Sequence, residues 1–339
     1  MTNNDFLLSL KDTNVLKGIG LLLLLCHHLF YVQKGLYDDI HLVGDHYLVQ
    51  ELGIWCKVCV AIFVFLSGYG LTVGAIKTRF INVRSFYWHR FTKLLLNYWL
   101  IWVLFVPISI LVFGRTFTDA YQTNIIPKLI LDFFGIINCF GLYGYNATWW
   151  FYSCIIVLYL VFPWLYKLME ANLWVLIASI IAIYFIPIPQ TIGIRVYFVC
   201  FVMGMLLCKY GKSTPPYALL WLSLFSILSV ERFVAKDVFL FDSILSLSMV
   251  MAYKSIRFPN LISNLLVFVG KHSMNIFLFH TFIYHYWFQD FIYASRNPIV
   301  IYIQLLIICL LISVGIEKLK KIIRFNIMVN HIDNIYGIR

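Results

Sequence analysis

A lysine and two adjacent histidines occur in one apolar run near the start of the chain, where titratable side chains are costly. The residues are Lys17, His27 and His28. On a helix, the eleven-residue step from Lys17 to His28 is about 20° beyond three full turns and about 16 Å of rise. The spacing therefore predicts that Lys17 and His28 share a helix face, with the imidazole at mid-bilayer depth as a candidate general base.

Each of these residues also has a purely structural explanation. Polar partners on neighbouring helices would satisfy both His27 and His28 without any chemistry. Lys17 suits an anchor that extends its ammonium group to the inner interface. A third intramembrane histidine, His280, is expected to pack inward on a helical stripe with Phe277.

A segment dense in basic and aromatic residues precedes the third apolar run. Within it, Arg90 and Lys93 are three residues apart and share a face as a helix begins. Arginine binds phosphate through two N–H donors at once, and lysine binds it as a point charge. This pair therefore predicts a cytoplasmic site for a phosphate-bearing ligand. Anchoring of a cytoplasmic loop by its positive charges is the alternative.

Two further motifs have weaker chemical implications. Small residues in Ser67-Gly68-x-Gly70 predict a close approach of another helix backbone, and Ser67 is an additional site candidate. Cys56 and Cys59 have CxxC spacing, but neither a second cysteine pair nor a histidine accompanies them. A zinc site needs four ligands, so no metal site is predicted.

The composition requires a membrane. Of 339 residues, 62% are hydrophobic and 12% charged, whereas soluble domains are about half apolar and a quarter charged. Mean hydropathy is +0.86. Residues 1–339 are predicted to form one integral-membrane domain, an all-α bundle of about ten spans. The predicted spans are 15–32, 53–75, 93–113, 147–167, 173–188, 193–208, 217–231, 237–253, 262–288 and 298–316, and 124–143 is predicted to be an interfacial or re-entrant helix.

Charge sets the expected orientation. The net charge is +11, and most of the 26 Lys and Arg residues fall on inner segments if the N-terminus is cytoplasmic. An even number of spans then returns the C-terminus to the cytoplasm. Because the positive-inside rule explains the excess charge and no nucleic-acid-binding motif occurs, no nucleic-acid partner is expected.

Five segments, in this order, resemble the membrane-bound acyltransferase family 3, whose members acylate surface glycans. The chain departs from the family pattern where Lys93 replaces an arginine and where Ile155 and Ile156 stand in a region in which many members carry a glutamate. The matching segments are Lys17-Gly18-Ile19-Gly20 with His28, Phe63-Val64-Phe65-Leu66-Ser67-Gly68-Tyr69, Phe86-Tyr87 with Arg90-Phe91-Thr92-Lys93, Trp149-Trp150-Phe151 with Tyr159-Leu160-Val161-Phe162-Pro163, and Gly270-Lys271-His272-Ser273 with His280.

The resemblance implies an O-acyltransferase, and acetyl is the commonest acyl group in the family. Such an enzyme moves an acyl group from cytoplasmic acyl-CoA, here acetyl-CoA, to a hydroxyl of a cell-surface polysaccharide or its lipid-linked precursor. Its expected location is the cytoplasmic membrane, and no permanently bound cofactor is expected. The candidate site residues are His28 as the catalytic base, Lys17, Arg90 and Lys93 as donor contacts, and His27, Ser67, Trp150 and His280 as additional residues.

Two other classes of membrane protein share some of these features. A transporter or flippase would also use intramembrane histidines and broken helices, but the inverted repeats that would favour it are not visible. A glycan polymerase or ligase would carry a large basic outer loop, whereas the predicted outer loops are short. The acceptor, the acyl chain length and the oligomeric state stay open.

Overall fold

The structure is a computed structural model that describes residues 6–31, 35–42, 44–78, 82–211, 217–234 and 239–325. These ranges are helical apart from loops and one β-bridge between His41 and Tyr47. The α-helices are α1 Leu10–Phe30, α2 Leu48–Trp55, α3 Cys59–Thr78, α4 Val83–Leu111, α5 Phe117–Tyr121, α6 Ile125–Phe133, α7 Trp150–Ala171, α8 Leu173–Ala182, α9 Ile194–Tyr210, α10 Ala218–Val234, α11 Phe239–Ser255, α12 Asn260–Lys271, α13 Ser273–Thr281, α14 Gln289–Tyr293 and α15 Pro298–Ile322. Short 3₁₀ turns cover Cys56–Val58, Ile137–Phe140, Ala147–Trp149 and Gln190–Ile192, and a π-helical turn covers Phe282–Trp287.

The all-α class is confirmed, but the count of ten spans is not. Each predicted span falls on a helix. In the described residues six helices are long and apolar enough to cross a bilayer, and a bent pair makes up to seven. Three predicted spans correspond to α8, of 10 residues, and to α10 and α11, of 17 residues each. The 10 residues of α8 fall short of the roughly 20 that a spanning helix needs, and the described parts of α10 and α11 are at the lower limit of about 17.

Two other expectations are refined. The predicted span 262–288 is not straight, because α12 and the helix from Ser273 to Trp287 meet at an angle of 58°. The stretch 124–143 is not a span, and it holds only α6 and a 3₁₀ turn. Both chain ends, 1–5 and 326–339, lie outside the described residues, so the expected cytoplasmic termini stay a prediction.

The chain divides into two units. The first comprises 1–77, 196–273 and 290–307, and the second comprises 78–195, 274–289 and 308–339. The first unit thus contains α1–α3 and α9–α12, and the second contains α4–α8, most of α13 and the π-helical turn.

Glycines allow close helix packing in the first unit. A Cβ on Gly68 of α3 would overlap the Phe201 carbonyl of α9, and a Cβ on Gly204 of α9 would overlap the Phe65 carbonyl of α3. The predicted close approach is therefore confirmed at Gly68. It does not extend to Gly70, where an added Cβ would meet open space.

Glycines also allow close packing between α1 and α12. A Cβ on Gly18 would overlap the Leu266 carbonyl, and a Cβ on Gly270 would overlap the Asn14 carbonyl. Both glycines belong to segments that carry the family resemblance. Their missing side chains therefore set how closely α12 packs against the helix that carries His28.

Replacing Gly68 by alanine is expected to destabilise the protein by about 1–3 kcal/mol, because two backbones in contact cannot yield to a new methyl group. The thermal unfolding temperature in detergent, followed with a dye that reacts with newly exposed thiols, measures this. Gly70→Ala is the matched control and should be neutral or slightly stabilising, since its site is open and alanine favours a helix. Equal unfolding temperatures for Gly68→Ala and the wild type would contradict the proposed packing.

Candidate functional site

Both predicted histidines of the first unit lie in the last turn of α1, with Lys17 on the same uninterrupted helix. The predicted common face of Lys17 and His28 is therefore retained. The mid-bilayer depth of His28 stays a prediction. His28 is the third residue from the end of α1, and a capping box between Ser9 and Asp12 starts the helix before the apolar run begins.

His27 is fixed by the backbone of α2. Its Nδ1 lies 2.8 Å from the Gly53 carbonyl oxygen, and its side chain is buried. Because a carbonyl only accepts, Nδ1 carries the proton and the lone pair of the neutral ring is on Nε2. Gly53 permits this contact, since a Cβ there would press on the backbone of Phe30 and Tyr31.

His28 is the more accessible member of the pair. Its side chain is only half-buried, and its ring packs edge-on against His27 at 5.1 Å between ring centroids. The His27 ring also stacks on the Tyr31 ring, with 5.0 Å between the ring centroids. One imidazole is thus fixed by a backbone carbonyl, and its neighbour is the more exposed of the two.

A buried ion pair lies in the same unit. Arg232 Nε of α10 is 2.9 Å from Asp242 Oδ1 of α11, and the two side chains are 3% and 7% exposed. The charges of Arg232 and Lys57 both act on the His27 ring. Neither residue was among the predicted site residues, and the predicted spans 217–231 and 237–253 leave Arg232 between them. The available signal was a carboxylate inside the predicted span 237–253.

In the second unit, Arg90 and Lys93 lie near the start of α4. The helix begins after Asn82, whose side chain accepts a hydrogen bond from the Ser85 amide. Arg90 is half-buried and Lys93 exposed. Neither side chain hydrogen-bonds or pairs with any residue that the structure describes. Both cations are consequently available to an anionic ligand.

An open groove of about 270 Å³ lies at the same end of α4, lined by Arg84, Tyr87, Trp88 and Phe91. Tyr87 is held there by a 2.6 Å hydrogen bond from its hydroxyl to the Leu160 carbonyl. Arg90 and Lys93 do not line the groove. Arg84, which was not among the predicted site residues, supplies its charge.

Two additional candidates are engaged within their own helices. The Ser67 hydroxyl donates to the Phe63 carbonyl at 2.9 Å. His280 is fully buried, and its Nδ1 lies 3.0 Å from the Ile276 and Phe277 carbonyls. These contacts are what a structural role requires, and the expected inward packing of His280 is confirmed.

Trp150, at the start of α7, is half-buried and packs edge-on against Phe151. Its neighbour Trp149 is fully buried and donates from Nε1 to the Leu278 carbonyl at 2.9 Å. Of the two tryptophans, Trp149 links the segment before α7 to α13, and Trp150 is the more exposed. The first unit thus contains Lys17, His27, His28 and Ser67, and the second contains Arg90, Lys93, Trp150 and His280.

The second unit also contains a fully buried carboxylate, which sequence reasoning missed. Asp132 Oδ2 accepts hydrogen bonds of 2.7 Å from the Tyr121 hydroxyl and from the Tyr145 amide. The Tyr98 hydroxyl donates to the Asp132 carbonyl at 2.7 Å. Burial raises the pKa of Asp132 to about 6, although these hydrogen bonds and the Arg115 charge act in the opposite direction. Asp132 therefore ties α4 and α6 to the segment before α7.

The raised pKa of Asp132 predicts lower stability at higher pH. Its ordinary pKa is 3.8 and its folded pKa is about 6, so its contribution is complete below pH 3.8 and is lost as pH rises through 6. The loss is on the order of 3 kcal/mol. The unfolding temperature of the wild type should fall between pH 4.5 and 7.5, and Asp132→Asn should flatten that slope.

Asp119 provides the control for this measurement. Its carboxylate is exposed, and hydrogen bonds from Thr116 lower its pKa. Asp119→Asn should therefore leave the slope above pH 5 unchanged. An unchanged slope in Asp132→Asn would show that another group causes the pH dependence.

The cysteines form no evident metal centre. Cys56 and Cys59 are buried and carry free thiols. Within the described ranges, no group of three or more His, Cys, Asp or Glu residues is placed to hold a metal ion.

Comparison with known proteins identifies a family. The family model of an acyltransferase domain, that of acyltransferase family 3, matches residues 10–318. The matched range covers most of the chain and every candidate residue from Lys17 to His280. No curated protein and no solved structure matches.

Proposed function

Because the chain belongs to acyltransferase family 3, we propose that this membrane acyltransferase is an O-acetyltransferase of the cytoplasmic membrane. It moves an acetyl group from cytoplasmic acetyl-CoA to a hydroxyl of a cell-surface polysaccharide or its lipid-linked precursor. The observation that carries the proposal is the histidine pair, in which the Gly53 carbonyl fixes the buried His27 beside the half-buried His28.

In this mechanism His28 is the general base. Its neutral ring takes the proton of the acceptor hydroxyl as that oxygen attacks the thioester carbonyl. The carbon–sulfur bond then breaks, the acetyl group stays on the acceptor as an ester, and the CoA sulfur leaves with the proton returned by His28. The positive charges of Lys57 and Arg232 offset the negative charge that develops on the carbonyl oxygen.

The start of α4 is the proposed donor side. Arg84, Arg90 and Lys93 offer guanidinium and ammonium groups for the donor phosphates. The aromatic walls of the groove, among them Trp88, offer a face for the adenine ring. Lys17, on the same helix as His28, is a separate candidate for a donor contact in the first unit. This basic end of α4 is placed in the cytoplasm by the positive-inside rule.

A label-transfer assay tests the function directly. Purified full-length protein in lipid nanodiscs is given acetyl-CoA labelled in the acetyl group, together with the glycan fraction of cells that lack the gene. We expect alkali-labile label in the glycan and one free CoA for each acetyl group transferred. A transporter would leave the glycan unlabelled, and that result would overturn the proposal.

A further inference from the structure

An arginine in contact with two tyrosine rings lies at the other end of α4 from Arg90. The Arg115 guanidinium carbon is 3.7 Å from the Tyr286 ring centre and 4.4 Å from that of Tyr145. Arg115 Nη1 donates to the Tyr145 carbonyl at 2.7 Å, and the Tyr145 hydroxyl donates to the Arg115 carbonyl. The guanidinium is therefore held in one orientation, half-buried beneath aromatic rings.

Most hydrogen-bond donors of this guanidinium are unused. Arginine has five N–H donors, and in the described part of the chain only the bond to Tyr145 engages them. No described carboxylate forms an ion pair with Arg115. Asp119 and Asp132 act on its charge from a distance, but Thr116 engages the first and two tyrosines engage the second.

Further contacts hold the segments that carry Arg115 and Tyr286. The Tyr286 hydroxyl accepts a 3.3 Å hydrogen bond from the Ala147 amide. Trp287 donates from Nε1 to Ser109 Oγ at 3.1 Å and stacks on Phe113 at 4.7 Å. Tyr286 and Trp287 belong to the π-helical turn, and such turns are frequent at functional sites. The site is thus preorganised rather than formed on binding.

We propose that Arg115, framed by Tyr145 and Tyr286, binds a carboxylate or phosphate group on the acceptor saccharide. A guanidinium held in one orientation, with N–H donors that have no partner in the described residues, binds such groups through two parallel hydrogen bonds. The inference deepens the proposed function and rests on it: the donor binds at the Arg90 end of α4 and an anionic acceptor binds at the Arg115 end. A lipid phosphate has the same chemistry. An arginine that anchors a protein at the lipid headgroups, however, extends its guanidinium to the membrane surface. The Arg115 guanidinium instead packs against the Tyr145 and Tyr286 rings.

Binding without turnover tests this site. Full-length protein in nanodiscs of neutral phosphatidylcholine is titrated with trigalacturonate and with its uncharged methyl ester, with tryptophan fluorescence as the readout. We expect the wild type to bind the charged sugar at least about tenfold more tightly. Arg115→Gln should abolish this preference, and Arg115→Lys, which keeps the charge but not the fork, should retain part of it.

Arg296→Gln is the matched control, since Arg296 is an exposed arginine paired with Asp38, and it should retain the preference. Equal binding of the two sugars by the wild type, or a preference that survives in Arg115→Gln, would overturn the proposal. Loss of trigalacturonate binding in nanodiscs that contain phosphatidylglycerol would reassign the site to a lipid headgroup. Because no acetyl-CoA is present, a failure here is distinct from a failure of acyl transfer.

Discussion

Replacing His28 by alanine is expected to lower acetyl transfer by about 10²–10⁴-fold, the usual contribution of a general base. The unfolding temperature and the binding of acetyl-CoA should change little, because His28 is half-buried at the end of α1 and the proposed donor contacts lie elsewhere. Label transfer to the glycan, with donor binding measured separately, distinguishes loss of chemistry from loss of substrate. Added imidazole should restore part of the activity.

The neighbouring histidine supplies an internal comparison. His27→Ala removes the hydrogen bond to the Gly53 carbonyl, so it should lower the unfolding temperature as well as the rate. His41→Ala, which changes an exposed loop histidine, should affect neither quantity. Full transfer by His28→Ala with a stable protein would remove His28 from the mechanism, and loss confined to His27→Ala would move the base to that residue.

Replacing Asp242 by alanine is expected to destabilise the protein by about 3–5 kcal/mol, because Arg232 would remain buried without its counter-ion. The two side chains are only 3% and 7% exposed, so water cannot take the place of the carboxylate. The measurement is the thermal unfolding temperature. Asp38→Ala breaks an exposed pair with Arg296 and should cost no more than about 1 kcal/mol.

A double variant separates structure from chemistry at this pair. Arg232→Met combined with Asp242→Leu replaces both charges by apolar groups and should restore the unfolding temperature. Its acetyl transfer should stay low, because the Arg232 charge that acts near His27 is gone. Full transfer by the double variant would assign the pair a purely structural role. A wild-type unfolding temperature in Asp242→Ala would show that the ion pair is not a stabilising contact.

Local sequence patterns were sufficient for the helices. Each predicted span falls on a helix because apolar runs and 3.6-residue periodicity act over one or two turns. The common face of Lys17 and His28 follows from the same periodicity. The early start of α1 was also readable, since Ser9 and Asp12 have capping-box spacing. Helix length was less predictable, because an apolar run indicates a helix without specifying the residue at which the helix begins or ends.

By itself, the sequence determined a helical membrane protein of acyltransferase type, with its charged and titratable residues on identifiable helices. Only the tertiary structure decided which groups stand opposite them. Gly53 holds His27 from 26 residues along the chain, Asp242 pairs with Arg232, and Tyr286 packs against Arg115. The physical reason is that a helix face follows from rotation along one segment. The partner of a buried charge follows from the packing of segments far apart in sequence, and no local pattern encodes that packing.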